Sequence, residues 1–160
     1  MSKANVEIYA KDAINMLSGL DQKLRNKAYR DGIRWSLNIV KKETIKNIRK
    51  RLGKSVTRHK DKYGKTLESG VKTSINRKVD GGKVHIMANY KLKWFELGTS
   101  ERYNMRNKQK GKYLKKYRRT GKITPMWFFR DAYTSKEKEV FNTLEQNIAK
   151  AIKKINDKQL

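Results

Sequence analysis

Leu20, Leu24, Ala28, Ile33, Leu37, Val40, Ile48 and Leu52 recur at helical spacing, and no other feature restricts the fold of this chain as strongly. Apolar residues returning in this way line one face of an α-helix. They predict one long amphipathic helix from about Asp21 to about Leu52, with Gly53 as its stop and Gly32 as a point of bending. The opposite face is basic, with Lys41, Lys42, Lys46, Arg49, Lys50 and Arg51. A second stripe, Val140, Phe141, Leu144, Ile148, Ile152 and Ile155, predicts another long helix from about Asp131 to the C-terminus.

Between the two stripes the period changes from helix to strand. Val71, Thr73, Ile75 and Val79 lie largely on one face of one segment, and Val84, Ile86, Ala88 and Tyr90 on one face of the next. With Asp80-Gly81-Gly82 between them, they predict a hairpin whose glycines supply the turn. Residues 5–10, "NVEIYA", alternate as a short edge strand, and Ile14 and Leu17 fit a short helix ending near Gly19. Residues 53–65 show no period and read as a loop. The expected class is α+β in a single domain over residues 1–160. A small, mainly antiparallel sheet carries the long N-terminal-half helix and the long C-terminal helix on one face.

Charge narrows the range of partners. The 160 residues hold 41 Lys and Arg against 15 Asp and Glu, a net +26. Such an imbalance repels itself in a compact chain and points to a polyanion or an acidic protein surface. The densest part is 102–122, where Arg102, Arg106, Lys108, Lys110, Lys112, Lys115, Lys116, Arg118, Arg119 and Lys122 occur without one acid. These ten are candidate contacts to DNA or to an acidic partner. Their mutual repulsion and the lack of an apolar period predict a mobile loop or arm. Setting them aside leaves 31 basic residues against 15 acids, still +16, so charge resides in the scaffold as well. That distribution favours phosphate contact without sequence reading.

Catalytic patterns are missing from the sequence. There is no cysteine, which removes disulfides, thiolate metal sites and zinc-deaminase chemistry. No phosphate-binding glycine loop, GxSxG or HExxH occurs, His59 and His85 stand apart, and the acids are scattered. No enzyme activity, metal or cofactor is expected. No apolar run has the length of a membrane span and the N-terminus lacks a signal-peptide core, so synthesis in the cytosol without a membrane partner is expected.

One stretch stands out from its basic surroundings. "KWFELGTS" (93–100) sets Trp94 and Phe95 against Glu96, Leu97, Gly98 and Thr99. Lys91 to Leu97 fit two helical turns, with Leu92 beside Phe95 and Glu96, and Gly98 as a left-handed cap. Thr99 and Ser100 are then placed to bond freed backbone groups. Trp94 and Phe95 are expected in the core with Phe128 and Phe129. Glu96 is the only acid between Lys83 and Ser100, and two readings stand: a pair with a basic group, or a solvated carboxylate. "ITPMWFFRDAY" (123–133) holds the only proline and a dense apolar cluster, read as a strand or turn on the core.

These two motifs carry a resemblance. "YKLKWFELGTS" (90–100), a variable insertion, and "TPMWFFRDAY" (124–133) leading into a last helix resemble the head–tail joining and tail-completion proteins of long-tailed, lambdoid-type bacteriophages. Phe95, Glu96, Gly98 and Thr99 match that family's aromatic-acid-apolar-Gly-Thr motif. Phe128, Phe129, Arg130 and Ala132 match the motif that opens its last helix, and "GKTLESGV" (64–71) looks like its entry to the hairpin. The resemblance spans about residues 20–155. Trp127 stands where the family often has proline, and Asp131 replaces a second proline, so the turn before the last helix is expected to differ.

The resemblance implies a non-enzymatic virion protein of the phage neck, made in the host cytoplasm and located at the head–tail junction. It would form a ring of copies of itself between capsid portal and tail tube, in contact with neighbouring neck and tail proteins. Its basic arm would face passing double-stranded DNA or an acidic ring. The two motifs would act as a latch from which the insertion projects. Two other classes account for the charge: a cytosolic nucleic-acid-binding protein without sequence preference, and a small metal-free ribonuclease. The first lacks an aromatic RNA-recognition platform, and the second lacks an evident acid or base.

Overall fold

The computed structural model describes residues 5–9, 22–105, 108–109, 112–113 and 117–156. The expected helix at Ile14 and Leu17 falls outside them. Strand β1 (Asn5–Tyr9) is followed by helix α1 (Gln22–Leu52) and a short helix α2 (Lys54–Arg58). A 3₁₀ turn (Glu68–Gly70) leads into β2 (Lys72–Ile75) and β3 (Gly81–His85), then helix α3 (Tyr90–Leu97). Four short strands follow: β4 (Arg102–Met105), β5 (Lys108–Gln109), β6 (Lys112–Tyr113) and β7 (Tyr117–Gly121). Helix α4 (Phe128–Asn156) is the last element. The fold is α+β.

Helix α1 is the centre of the core because its stripe meets partners on two sides. Ala28, Tyr29, Ile33, Leu37, Val40 and Ile48 are buried. Ser36 and Thr44 sit in the same buried face, and each satisfies its hydroxyl by donating to the carbonyl four residues back, Gly32 at 2.9 Å and Val40 at 2.7 Å. Gly32 does not interrupt the helix, which runs continuously from Gln22 to Leu52. A Cβ there would lie 3.4 Å from Ile148 and 3.5 Å from Leu144, ordinary van der Waals contact, so α4 packs directly over this position. Val140, Leu144 and Ile148 of α4 are buried against this side, whereas Phe141 is turned outward.

The sheet covers another side of α1. Its order is β1-β3-β2, all antiparallel, with β1 and β2 as edges. The hairpin forms, but its turn lies earlier than the glycines suggest. Asn76 to Asp80 make the turn, and Gly81 and Gly82 begin β3. A Cβ on Gly82 would come within 2.8 Å of Leu37 and 2.9 Å of Ile33, so this glycine serves helix–sheet contact and not chain reversal. Val79 takes the positive φ of the turn, 59°, with its side chain buried. The second strand ends at His85, and Tyr90 belongs to α3 instead of the sheet.

Two further expectations are corrected. Residues 53–65 are not wholly loop: Gly53, at φ 80°, ends α1 and lets the chain restart as α2. The last helix begins at Phe128, one turn before Asp131, and so absorbs two residues of the apolar cluster.

Candidate functional site

The N-terminal cap of α3 is Asn89, whose side-chain oxygen accepts from Lys91 N–H at 3.1 Å. The helix presents Leu92, Phe95 and Glu96 inward: Leu92 and Glu96 are buried, and Phe95 packs partly buried on the core. Helical geometry puts Trp94 on another face, where its ring meets Tyr90 edge-on at 5.1 Å and stays 42% exposed. Trp94 is therefore not a core residue.

Glu96 is neither paired with a cation nor solvated. It is 2% exposed, and its carboxylate receives two backbone amides of the first turn of α4. Phe129 N–H donates to Oε2 at 2.9 Å and Arg130 N–H to Oε1 at 3.0 Å. The opening turn of a helix has amides without intrahelical acceptors and a partial positive charge, which is what a buried carboxylate requires. Trp127 precedes that turn, and its carbonyl accepts the first helical bond, from Asp131 N–H at 3.0 Å. An indole supplies no capping oxygen, so Glu96 does so from α3. Backbone bonds reinforce the joint, Met126 N–H to Phe95 O at 2.9 Å and Trp127 N–H to Glu96 O at 3.4 Å.

The turn before α4 also departs from a proline-shaped one. Trp127 has φ 50°, which the fixed φ of proline excludes. The Arg130 guanidinium lies over its ring at 4.5 Å. Asp131 reaches Arg51 at the end of α1 at 2.5 Å, and Arg51 and Arg130 hold its carboxyl below the usual carboxylate range. Asn47 Nδ2 donates to Phe128 O at 3.2 Å. Phe128, Phe129 and Ala132 are buried in the core.

The chain leaves α3 through Gly98, whose φ of 73° and ψ of −177° fall in a region open in practice to glycine alone. Its ψ is extended, so this is not the left-handed helical cap. A Cβ here would stand 2.7 Å from Ile123 O and 2.8 Å from Pro125. Thr99 does not bond back to α3. Its N–H donates to Ile123 O at 2.9 Å, and its Oγ1 accepts from Ile123 N–H at 3.0 Å. This doubled contact closes the base of the insertion.

Above that base the described residues of the insertion form a ribbon of paired strands in place of the expected loop or arm. Strand β4 pairs antiparallel with β7, and β5 with β6. Arg102, Arg119 and Lys122 are exposed at its foot, where Glu101 accepts from Arg119 and from Tyr103 Oη. Lys108, Lys112 and Arg118 lie in β5, β6 and β7, while Arg106, Lys110, Lys115 and Lys116 lie outside the described residues. The structure thus brings the two aromatic motifs together and places the described basic candidates, Arg102, Lys108, Lys112, Arg118, Arg119 and Lys122, apart from them.

Two features carried no local signal in the sequence. Glu68 receives Arg49 Nε at 2.8 Å, Arg49 Nη2 at 2.5 Å and Thr57 Oγ1 at 2.9 Å, tying α1, α2 and the entry to the hairpin. Arg49 above all lowers its pKa. A groove of about 910 Å³ lies between α2, the following loop and α3. By contrast, Asn89 just before an apolar-periodic segment is a capping signal that sequence can show.

No family model, no curated protein and no solved structure matches this chain. Among the described residues no group of three or more His, Asp or Glu is placed to hold a metal ion, and no helix is long and apolar enough to cross a membrane.

Proposed function

We propose that this protein is a structural component of the phage neck, forming part of a ring around the DNA channel between capsid portal and tail tube. The observation that carries the reading is the Glu96 joint. Both motifs of the resemblance, 33 residues apart, meet in one buried contact, and a basic ribbon rises from between them. A carboxylate capping a helix from another element makes a rigid frame at the ribbon's foot. The ribbon is then a positively charged projection on a fixed base, suited to phosphate backbone or to an acidic neighbouring ring. The latch residues have structural roles, and the protein is read as non-enzymatic.

The test is mass spectrometry and electron microscopy of purified particles. The protein is expected at the head–tail junction, and its absence from clean virions would remove the neck reading. The high positive charge of α1 favours a second reading, a cytosolic protein that binds nucleic acid without sequence preference. It predicts recovery with host nucleic acid and not with particles.

A further inference from the structure

The groove between α2 and α3 has a chemistry of its own. Val56, Tyr63 and Tyr90 line it and are all substantially exposed, with Phe95 behind them. Lys62, Lys65 and Lys91 line it as well. The one acid of its lining, Asp61, is committed to its own loop, where Oδ1 accepts from Tyr63 and Lys65 N–H at 2.9 Å each. Apolar and aromatic side chains set among three lysines fit a large apolar side chain flanked by carboxylates.

This chain itself carries such a segment. Of the exposed large apolar residues described, Phe141 alone stands between two acids on its own helix face, Glu137 one turn before and Glu145 one turn after; Lys138 shares that face, and Glu137 accepts from Tyr133 Oη at 2.8 Å, a neutral partner that leaves its charge uncompensated. Phe141 and both acids are exposed on α4, on the side turned away from the core. Trp35, by comparison, has a single acid within one turn, Asp31, which is paired with Arg34. In a chain with 15 acids against 41 bases, such an acidic–apolar patch is rare, and it shares no residue with the groove. Two different complementary patches on one chain join copies head to tail, which gives a ring if the rotation closes.

We propose that Phe141 of one copy, with Glu137 and Glu145, seats in the groove lined by Lys62, Lys65, Tyr63 and Tyr90 of the next copy. The proposal rests on the ring reading for its biological setting, but the contact is a property of the purified chain. The apolar anchor supplies affinity, and the charges fix which way round the copies meet.

The chain has no cysteine, so single cysteines report the contact directly. Full-length Lys138→Cys, one turn before Phe141 on its exposed face, mixed with Ser55→Cys in the groove lining should give a disulfide-linked heterodimer at high concentration and low salt, with Phe141 and Tyr63 left in place. Trp35→Cys, an exposed position elsewhere, mixed with Ser55→Cys is the control and should give little. Lys62→Glu with Lys65→Glu in the Ser55→Cys partner should abolish the adduct, and Glu137→Lys with Glu145→Lys in the Lys138→Cys partner should restore it. Phe141→Ala should weaken self-association by about thirtyfold, as for a central apolar anchor.

Equal yields from the two pairings, no adduct, or an adduct indifferent to charge reversal would each overturn the contact. So would protection of the groove cysteine by a single-stranded oligonucleotide without self-cross-linking, which would assign the groove to nucleic acid. A ring seen in particles without this cross-link removes the contact and leaves the neck reading. The cross-link in a protein absent from particles does the reverse.

Discussion

Glu96 and Phe129 lie 33 residues apart, and the buried carboxylate of the first accepts the backbone N–H of the second at 2.9 Å. Removing that carboxylate leaves two amides at the start of α4 without acceptors. Glu96→Ala should destabilise the protein by about 3 kcal/mol, since hydrogen bonds to charged groups are worth more than neutral ones and the amides stay buried. Glu96→Gln keeps one acceptor and should lose roughly half as much. Urea unfolding of both variants checks the order, and equal stability of wild type and Ala variant would remove the latch.

The aromatic pairs should separate by burial. Phe128→Ala empties a fully buried site and should cost about 3–5 kcal/mol. Trp94→Ala, on the open face of α3, should cost less than about 1 kcal/mol. Thermal unfolding of the two variants is sufficient to compare them.

Two glycines with similar φ should answer alanine differently. At Gly98 (φ 73°) a Cβ would meet Ile123 O and Pro125 within 2.8 Å, whereas at Gly121 (φ 79°) it would meet nothing within 4 Å. Gly98→Ala should cost about 3 kcal/mol and Gly121→Ala about 1 kcal/mol, the conformational part alone. Comparable losses would show that contact at the ribbon's foot is unimportant.

Acid should release the Glu68 clasp. Arg49 holds the folded-state pKa of Glu68 below its ordinary value of 4.5. The unfolded chain therefore binds this proton first on acidification. The stabilisation is complete above about pH 4.5 and is lost as pH falls through the folded-state value. Glu68→Gln should flatten the stability profile below pH 4.5 and leave its shape near neutrality unchanged. A profile parallel to wild type throughout would exclude Glu68 as a source of acid sensitivity.

The ribbon should be separable from the frame. Deleting residues 104–120 leaves the Thr99–Ile123 contact that closes its base, and unfolding should remain cooperative. If the intact ribbon neutralises four to six phosphates, log K against log salt should have a slope of roughly −4 to −5, most of it lost on deletion. Unchanged DNA binding with unjoined heads and tails would place the ribbon on an acidic neighbour. An unfolded deletion variant would show the segment to be scaffold.

Sequence alone determined the two long helices, the hairpin and the concentration of charge in the insertion. Each follows from local repetition: burial of one face imposes a period, and Leu37, Val40 and Leu144 record it whatever they touch. Helical spacing also contained the separation of Trp94 from Phe95, about 100° around α3, although composition suggested grouping them. Tertiary structure decided the rest. Gly82 looks like a turn residue until Leu37 and Ile33 occupy the space its side chain would fill. Thr99 looks like a local cap until Ile123 returns beside it. Glu96 looks like half of an ion pair, and only the arrival of α4 supplies amides in place of a cation. A backbone N–H is carried by nearly every residue and leaves no mark in the sequence, so which one a carboxylate meets is set by where the chain returns.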